Sequence, residues 1–194
     1  MFVKTFAGTV VGIDAVVVTV ETDITRGMGL FIVGLPDNAV KESQERIRAA
    51  FENSGFRMSG RKIVINLAPA DLRKEGSLFD LPIAVALLAA SGQIESELVD
   101  KYMILGELSL DGTLRPIKGA LPLTVRAAQE GLRGVILPEE NAREAAVGEG
   151  TEVIGVQSLT QVVAFLTGEE AIEPTHLDTT QVFDNESNRF GEDF

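Results

Sequence analysis

Few side chains in this 194-residue sequence belong to the types that build metal sites or nucleophilic clusters. There are no cysteines, and His176 is the single histidine. Disulfides, thiolate metal sites and histidine clusters are therefore excluded, and no structural zinc is expected. The sequence also lacks a Gly-Lys dipeptide, so the phosphate-binding loop Gly-x-x-x-x-Gly-Lys-Ser/Thr is missing. We therefore predict no metal site, no bound cofactor and no ATP hydrolysis within these residues.

Asp80 is the carboxylate with the most unusual surroundings. It lies among Phe79, Leu81 and Pro82, where an ionised group is costly unless neighbouring groups compensate its charge. Two roles fit: a cap of the helix that follows, whose free amides and dipole stabilise negative charge, or a catalytic acid. The cap is favoured because no acid-base partner is evident. Glu107 is expected to be a surface or hinge carboxylate.

Basic residues concentrate in one part of an acidic chain. The net charge is −12, yet residues 41–74 carry eight basic and four acidic side chains, a local balance of +4. A solvated face is the favoured interpretation, since only cations that cluster in space form a binding patch. The alternative is phosphate binding. The residues that would then contact nucleic acid are Arg46, Arg48, Arg57, Arg61, Lys62, Arg73 and Lys74.

The acidity comes mainly from the last residues of the sequence. Residues 168–194 contain eight acids and one arginine, a balance of −7. Hydrophobic periodicity also ends there, which is typical of a segment that cannot bury a core. We predict one domain over residues 1–168 and an acidic linker over residues 169–194 that leads toward a further domain.

The elements that must position these side chains alternate between strands and helices. Two β-rich runs flank Gly12-Ile13-Asp14 and predict an opening hairpin, and Asp37 is the expected N-cap of a helix that reaches Asn53. Leu81–Ala90 is apolar on every side, which predicts a helix packed on all faces. Asp111-Gly112 predicts a tight hairpin. Further strands are predicted at 30–33, 63–67, 102–106, 134–137 and 152–156, with helices at 119–130, 139–146 and 159–166. The expected fold class is α/β (α+β) with a mixed sheet.

Nothing in the sequence predicts export or a membrane. Met1-Phe2-Val3-Lys4 lacks the pattern of a signal peptide, and no apolar run is long enough to cross a bilayer. We expect a cytoplasmic protein with no membrane partner.

Three sequence blocks carry a family resemblance. They are Gly34-Leu35-Pro36-Asp37-Asn38-Ala39-Val40-Lys41-Glu42-Ser43, then Asn66-Leu67-Ala68-Pro69-Ala70-Asp71 with Lys74-Glu75-Gly76-Ser77-Leu78-Phe79-Asp80-Leu81-Pro82, and Gly106-Glu107-Leu108-Ser109-Leu110-Asp111-Gly112. Together they resemble the Lon-protease-like N-terminal domain of the YifB/ComM (magnesium-chelatase-like) AAA+ ATPase family. The resemblance covers residues 1 to about 168 and implies a mixed-sheet Lon-protease-like fold.

The resemblance also raises the question of peptidase activity. Lon proteases use a Ser-Lys dyad, in which a desolvated amine activates a hydroxyl within hydrogen-bond reach. Matching the two Lon segments to this sequence places Leu78 at the nucleophile and Leu121 at the base. Ser77 lies one residue early and Lys118 three early, and a one-residue shift rotates a helical side chain by about 100°. No catalytic residue is therefore expected. The disfavoured alternative is that Ser77 and Lys118 form the dyad in place of the two matched positions.

For the full-length family member, the resemblance implies an ATP-driven, hexameric helicase that moves branched DNA during recombination and natural transformation (competence). ATP and Mg²⁺ would bind in an AAA+ domain outside this sequence. The implied partners of this chain are that ATPase domain and neighbouring subunits. Its role would be non-catalytic, in assembly or substrate engagement, with direct nucleic-acid binding as the alternative.

Overall fold

The computed structural model describes residues 1–146 and 150–177. The strands are β1 (Phe2–Val11), β2 (Asp14–Thr25), β3 (Leu30–Val33), β4 (Lys62–Ala68), β5 (Tyr102–Ile104), β6 (Glu107–Leu108), β7 (Leu114–Arg115), β8 (Gly134–Pro138) and β9 (Glu152–Val156). The helices are α1 (Asn38–Ser54), α2 (Asp80–Ala90), α3 (Ala120–Gln129), α4 (Glu139–Ala145) and α5 (Leu159–Leu166). These bounds confirm the predicted alternation, with β2 five residues longer than the run predicted at 16–22 and β5 two residues shorter than predicted.

Seven strands form one mixed sheet in the order β3-β4-β2-β1-β5-β8-β9. The β1–β2 and β2–β4 pairs are antiparallel, and the remaining pairs are parallel. This arrangement confirms the predicted opening hairpin and the mixed α/β sheet. A second, two-stranded sheet pairs β6 with β7, as the Asp111-Gly112 signal predicts.

Helices cover both faces of the large sheet. Residues of α1, α2 and α5 join one face in the larger apolar core, whereas α3 and α4 pack on the other face in a smaller core. Every residue of α2 is buried, which confirms the helix predicted to be packed on all sides. No helix in the described ranges is both long and apolar enough to span a membrane.

The first helix begins and ends where its sequence predicts. The Asp37 carboxylate accepts a hydrogen bond of 2.8 Å from the Val40 amide, so Asp37 is the N-cap. Gly55 ends the helix with a positive φ of 80°, a backbone conformation that glycine adopts without a Cβ clash. The two caps therefore define both ends of α1.

Part of the predicted acidic linker lies against the sheet. Ile172 packs on the larger core, and the Thr175 amide donates to the Val153 carbonyl of β9 at 2.8 Å. Residues 178–194 of the predicted linker lie outside the described ranges. The domain boundary at residue 168 therefore stays a prediction.

Candidate functional site

Ser77 and Glu107 contact each other across the start of α2. The Ser77 hydroxyl donates a hydrogen bond of 2.8 Å to Glu107 Oε2. Backbone bonds hold the two segments together, since the Gly106 amide donates to the Leu78 carbonyl and the Leu81 amide to the Gly106 carbonyl. Glu107 is thus a half-buried acceptor for Ser77, a contact that the sequence did not predict.

The two positions that replace the dyad in the family resemblance hold partly buried leucines. Leu78 packs against both apolar cores, and Leu121 lies in the first turn of α3. Lys118 is exposed, and among the described residues it makes no hydrogen bond or ion pair with Ser77. The structure therefore brings Ser77 to Glu107 and leaves Lys118 in solvent.

Leu78 and Lys118 nevertheless line the same groove. This groove has a volume of about 680 Å³ and lies beside the last residues of β1, with Leu123 of α3 and Arg73 also in its wall. A Cβ added to Gly119 would lie 2.8 Å from Val10 Cγ2, so the turn that carries Lys118 packs directly on β1. We call this feature the β1 groove.

The Asp80 carboxylate is not a helix cap. Asp80 is the first residue of α2, and no side chain makes a cap hydrogen bond there. Its oxygens accept instead from Arg46 Nε at 2.7 Å, from Arg46 Nη2 at 2.9 Å and from the Leu108 amide at 3.0 Å. The favoured cap prediction was therefore wrong, because a guanidinium from α1 supplies the compensating donors.

The environment of this ion pair is almost dry. Asp80 is 0% exposed, and the Arg46 side chain is 20% exposed. Burial raises the pKa of Asp80, and the Arg46 guanidinium and the Leu108 amide oppose that rise. The hydrogen bond to Asp80 raises the pKa of Arg46 in turn. The ion pair therefore connects α1, α2 and the β6 hairpin, and Asp80 is not an accessible acid.

Lys74 is a second cation that was predicted to be exposed but is buried in the structure. It is 0% exposed, and its ammonium donates to the Gly34 carbonyl at 2.7 Å and to the Pro69 carbonyl. Burial lowers the pKa of Lys74, and Asp71 opposes this shift. A Cβ at Gly34 would lie 2.2 Å from the Leu67 carbonyl oxygen, so the chain after β3 packs directly on β4, and Lys74 bridges the residues that follow these two strands.

These positions correct the predicted nucleic-acid set. Arg46 and Lys74 are engaged internally and cannot contact phosphate in this conformation. The remaining five cations are exposed but do not form one patch: Arg61 and Lys62 lie at the start of β4, whereas Arg73 follows its end and pairs with Glu75 at 3.2 Å. The strand between them is about 20 Å long at about 3.3 Å per residue.

Some of these contacts could not be predicted from the sequence. Arg46 and Asp80 are separated by 34 residues, and a lysine in a polar loop is normally exposed. The unusual surroundings of Asp80 were the one visible sign that a buried partner exists.

Comparison with known proteins gives a consistent set of relatives. The family model described as subunit ChlI of Mg-chelatase matches residues 20–141. An uncharacterized protein YifB of Escherichia coli (strain K12) is 45% identical over 163 residues, which is 84% of this chain and 32% of that protein. The competence protein ComM of Haemophilus influenzae is 41% identical over 162 residues, 83% of this chain and 32% of ComM. This chain thus spans about a third of the length of these relatives.

A weaker similarity points to the peptidase fold. Lon protease 2 of Bacillus subtilis is 28% identical over 124 residues, which is 63% of this chain and 22% of that protein. This similarity is consistent with a Lon-like arrangement of the mixed sheet and its helices.

We expect Arg46→Met to destabilise the fold by about 3–5 kcal/mol near neutral pH, because it leaves a buried carboxylate without its partner. Losing Arg46 raises the Asp80 pKa further above its unfolded value. When the pKa of Asp80 is higher in the folded state than in the unfolded state, the ionised carboxylate destabilises the fold. The loss in the free energy of unfolding caused by Arg46→Met should therefore shrink as the pH falls toward about 4 and Asp80 becomes protonated. Urea denaturation at the two pH values measures this.

The control for this experiment is Arg48→Met, which removes an exposed cation from the same helix and should change stability by no more than about 0.5 kcal/mol. A deficit that does not depend on pH, or one that both variants share, would contradict the role assigned to the pair.

Proposed function

Because the chain belongs to the magnesium-chelatase-like AAA+ ATPase family that includes YifB and ComM, we propose that it is a non-catalytic, Lon-like accessory domain of such an ATPase. The observation that carries the proposal is the pair of leucines, Leu78 and Leu121, at the positions matched to the Lon serine and lysine. An aliphatic side chain can neither attack a carbonyl nor accept a proton.

The geometry around Ser77 and Lys118 supports this proposal. A Ser-Lys dyad needs the serine hydroxyl to donate to a desolvated lysine amine. The Ser77 hydroxyl donates to Glu107 instead, and Lys118 is exposed to solvent. A Ser77–Lys118 dyad therefore lacks both the hydrogen bond and the desolvated lysine that it needs.

In the longer polypeptide, this domain would help subunits assemble or help the ATPase engage its substrate. The whole protein would be an ATP-driven hexamer that acts on branched DNA during recombination. Its nucleotide and Mg²⁺ would bind outside these 194 residues, because the sequence offers no phosphate-binding loop to hold them. The ComM relative is named a competence protein, which agrees with a role in the handling of incoming DNA.

A second candidate function is direct binding of nucleic acid through exposed cations. The favouring observation lies on the edge of the sheet, where Lys62 Nζ stands 5.9 Å from the centre of the exposed Phe31 ring and Arg61 is adjacent in sequence. An exposed aromatic ring beside cations is a surface on which unpaired bases stack. The internal positions of Arg46 and Lys74 reduce the available charge, so this candidate ranks second.

We expect this chain to hydrolyse a fluorogenic peptide and unfolded casein no faster than buffer does. The Ser77→Ala and Lys118→Ala variants should give the same background rate, because neither side chain is placed for catalysis. Product release followed by fluorescence and mass spectrometry measures this. Hydrolysis that both substitutions reduce at least tenfold would establish a Ser-Lys peptidase and overturn the proposal.

Removing residues 1–168 from the longer polypeptide should impair assembly or DNA remodelling more than basal nucleotide binding. The reason is that the nucleotide site would lie in a separate domain, whereas the accessory contacts would be lost. Light scattering, branch-migration assays and nucleotide titration on the same preparation compare the three properties. Unchanged assembly and remodelling would count against an accessory role.

If the second candidate is correct, the chain should bind single-stranded and branched DNA with an affinity that falls steeply between about 50 and 200 mM salt. Replacing Arg61 and Lys62 with glutamate should weaken binding and reduce the slope of log K against log salt by about two. Fluorescence anisotropy measures both. The matched control is Lys101→Glu, at an exposed lysine outside the set. Absent or salt-insensitive binding rejects this candidate.

A further inference from the structure

Strand β1 loses its neighbour on one side before it ends. It pairs with β2 along its whole length, but its ladder with β5 consists of one Cα pair, Phe6 with Met103. After β5, the Leu105 amide still donates to the Ile136 carbonyl of β8, and the next amide, that of Gly106, donates to the Leu78 carbonyl outside the sheet. Among the described residues, no strand pairs with the outer edge of Thr9–Val11.

This open edge forms one wall of the β1 groove. Thr9, Val10 and Val11 all line it, and the two valines are 39% and 46% exposed. Leu78 and Leu123 also line the groove and supply apolar surface beside the strand. An unpaired edge offers backbone donors and acceptors to a further strand, and alternate side chains of that strand would meet the apolar lining. The edge is about 10 Å long, which suits a segment of about three extended residues.

The charged groups of the groove leave one cation uncompensated. Arg73 pairs with Glu75, and the Asp37 carboxylate accepts from the Val40 and Gly76 amides. Lys118 forms no hydrogen bond or ion pair with any described residue, and its turn is held against Val10 by the close approach at Gly119. Lys118 is therefore an exposed cation without an ion-pair partner among the described residues, and its turn packs beside the open strand.

We propose that the β1 groove binds an extended, apolar protein segment that carries an acidic side chain, as a strand added to the edge of β1. The backbone of the segment pairs with Thr9–Val11, its apolar side chains contact Leu78 and Leu123, and its carboxylate faces Lys118. The inference rests on the proposed function in one respect, that a segment held in this way is released uncleaved. For the proposed role in substrate engagement, the β1 groove would be the binding site and an extended acidic segment the ligand.

The probe is a fluorescein-labelled peptide of sequence Ser-Val-Glu-Val-Glu-Val-Ser, compared with the same peptide carrying lysine in place of glutamate. We expect the glutamate peptide to bind at least tenfold more tightly in an anisotropy titration. Methylating the alternate backbone nitrogens that pair with β1 should lower its affinity at least tenfold, because an added strand needs those donors.

The deciding variant is Lys118→Glu, which is exposed and should fold normally. It should reverse the preference, so that the lysine peptide binds more tightly than the glutamate peptide. The matched control, Lys4→Glu, reverses an exposed lysine at the other end of the same strand and should leave both affinities unchanged. Equal binding of the two peptides, or a preference that Lys118→Glu leaves intact, would overturn the inference.

Mass spectrometry of the peptide after the titration separates this inference from the proposed function. A peptide that binds with Lys118 dependence but is cut would keep the site and refute the non-catalytic role. A peptide that neither binds nor is cut would refute the groove proposal and leave the non-catalytic role standing. A peptide of residues 178–194, which is acidic and contains Val182-Phe183-Asp184, is titrated in parallel. Binding with the same dependence on Lys118 would support the proposal and identify this chain as a source of the segment.

Discussion

The buried contact between Arg46 and Asp80 is the interaction on which the rest of this structure depends. Helix α2 is apolar on all faces and has no polar surface of its own by which its orientation could be fixed. The carboxylate at its first residue supplies that orientation, because it accepts two bonds from α1 and one from the β6 strand. The turn that carries Ser77 and Leu78 immediately precedes this point. One ion pair thus sets the geometry of the whole candidate site, at the cost of removing a carboxylate from water.

The same region is where the proposed role requires binding without peptide hydrolysis. The resemblance predicts leucines at the dyad positions, one of which, Leu78, packs against both apolar cores, and the nearby Ser77 hydroxyl donates to Glu107. What remains accessible is a groove with an apolar lining, a free strand edge and one unpaired cation. These features suit the binding of a polypeptide segment.

Much of the fold could be predicted from the sequence, because its signals are local. The cap at Asp37, the Asp111-Gly112 turn and the apolar run of α2 each depend on residues close together in the chain, and the structure confirms them. The partner of Asp80 and the burial of Lys74 depend on contacts between distant segments, which no periodicity reports. For the same reason, the sequence predicted the β1–β2 hairpin but not that β1 would lack a neighbour near its end. The assignment of Leu78 and Leu121 to the dyad positions remains a prediction from the resemblance.

The single pair between β1 and β5 has a mechanical consequence for the molecule. Along the described chain, the strands β3, β4, β2 and β1 form one hydrogen-bonded unit and the strands β5, β8 and β9 form another, with one Cα pair as the direct link. Helix α3 contacts β1, β2, β5 and β8, so side-chain packing rather than the backbone ladder holds the two units in register. Van der Waals contacts depend less on angle than hydrogen bonds do, so a small rotation between the two units costs less at this seam than within either ladder.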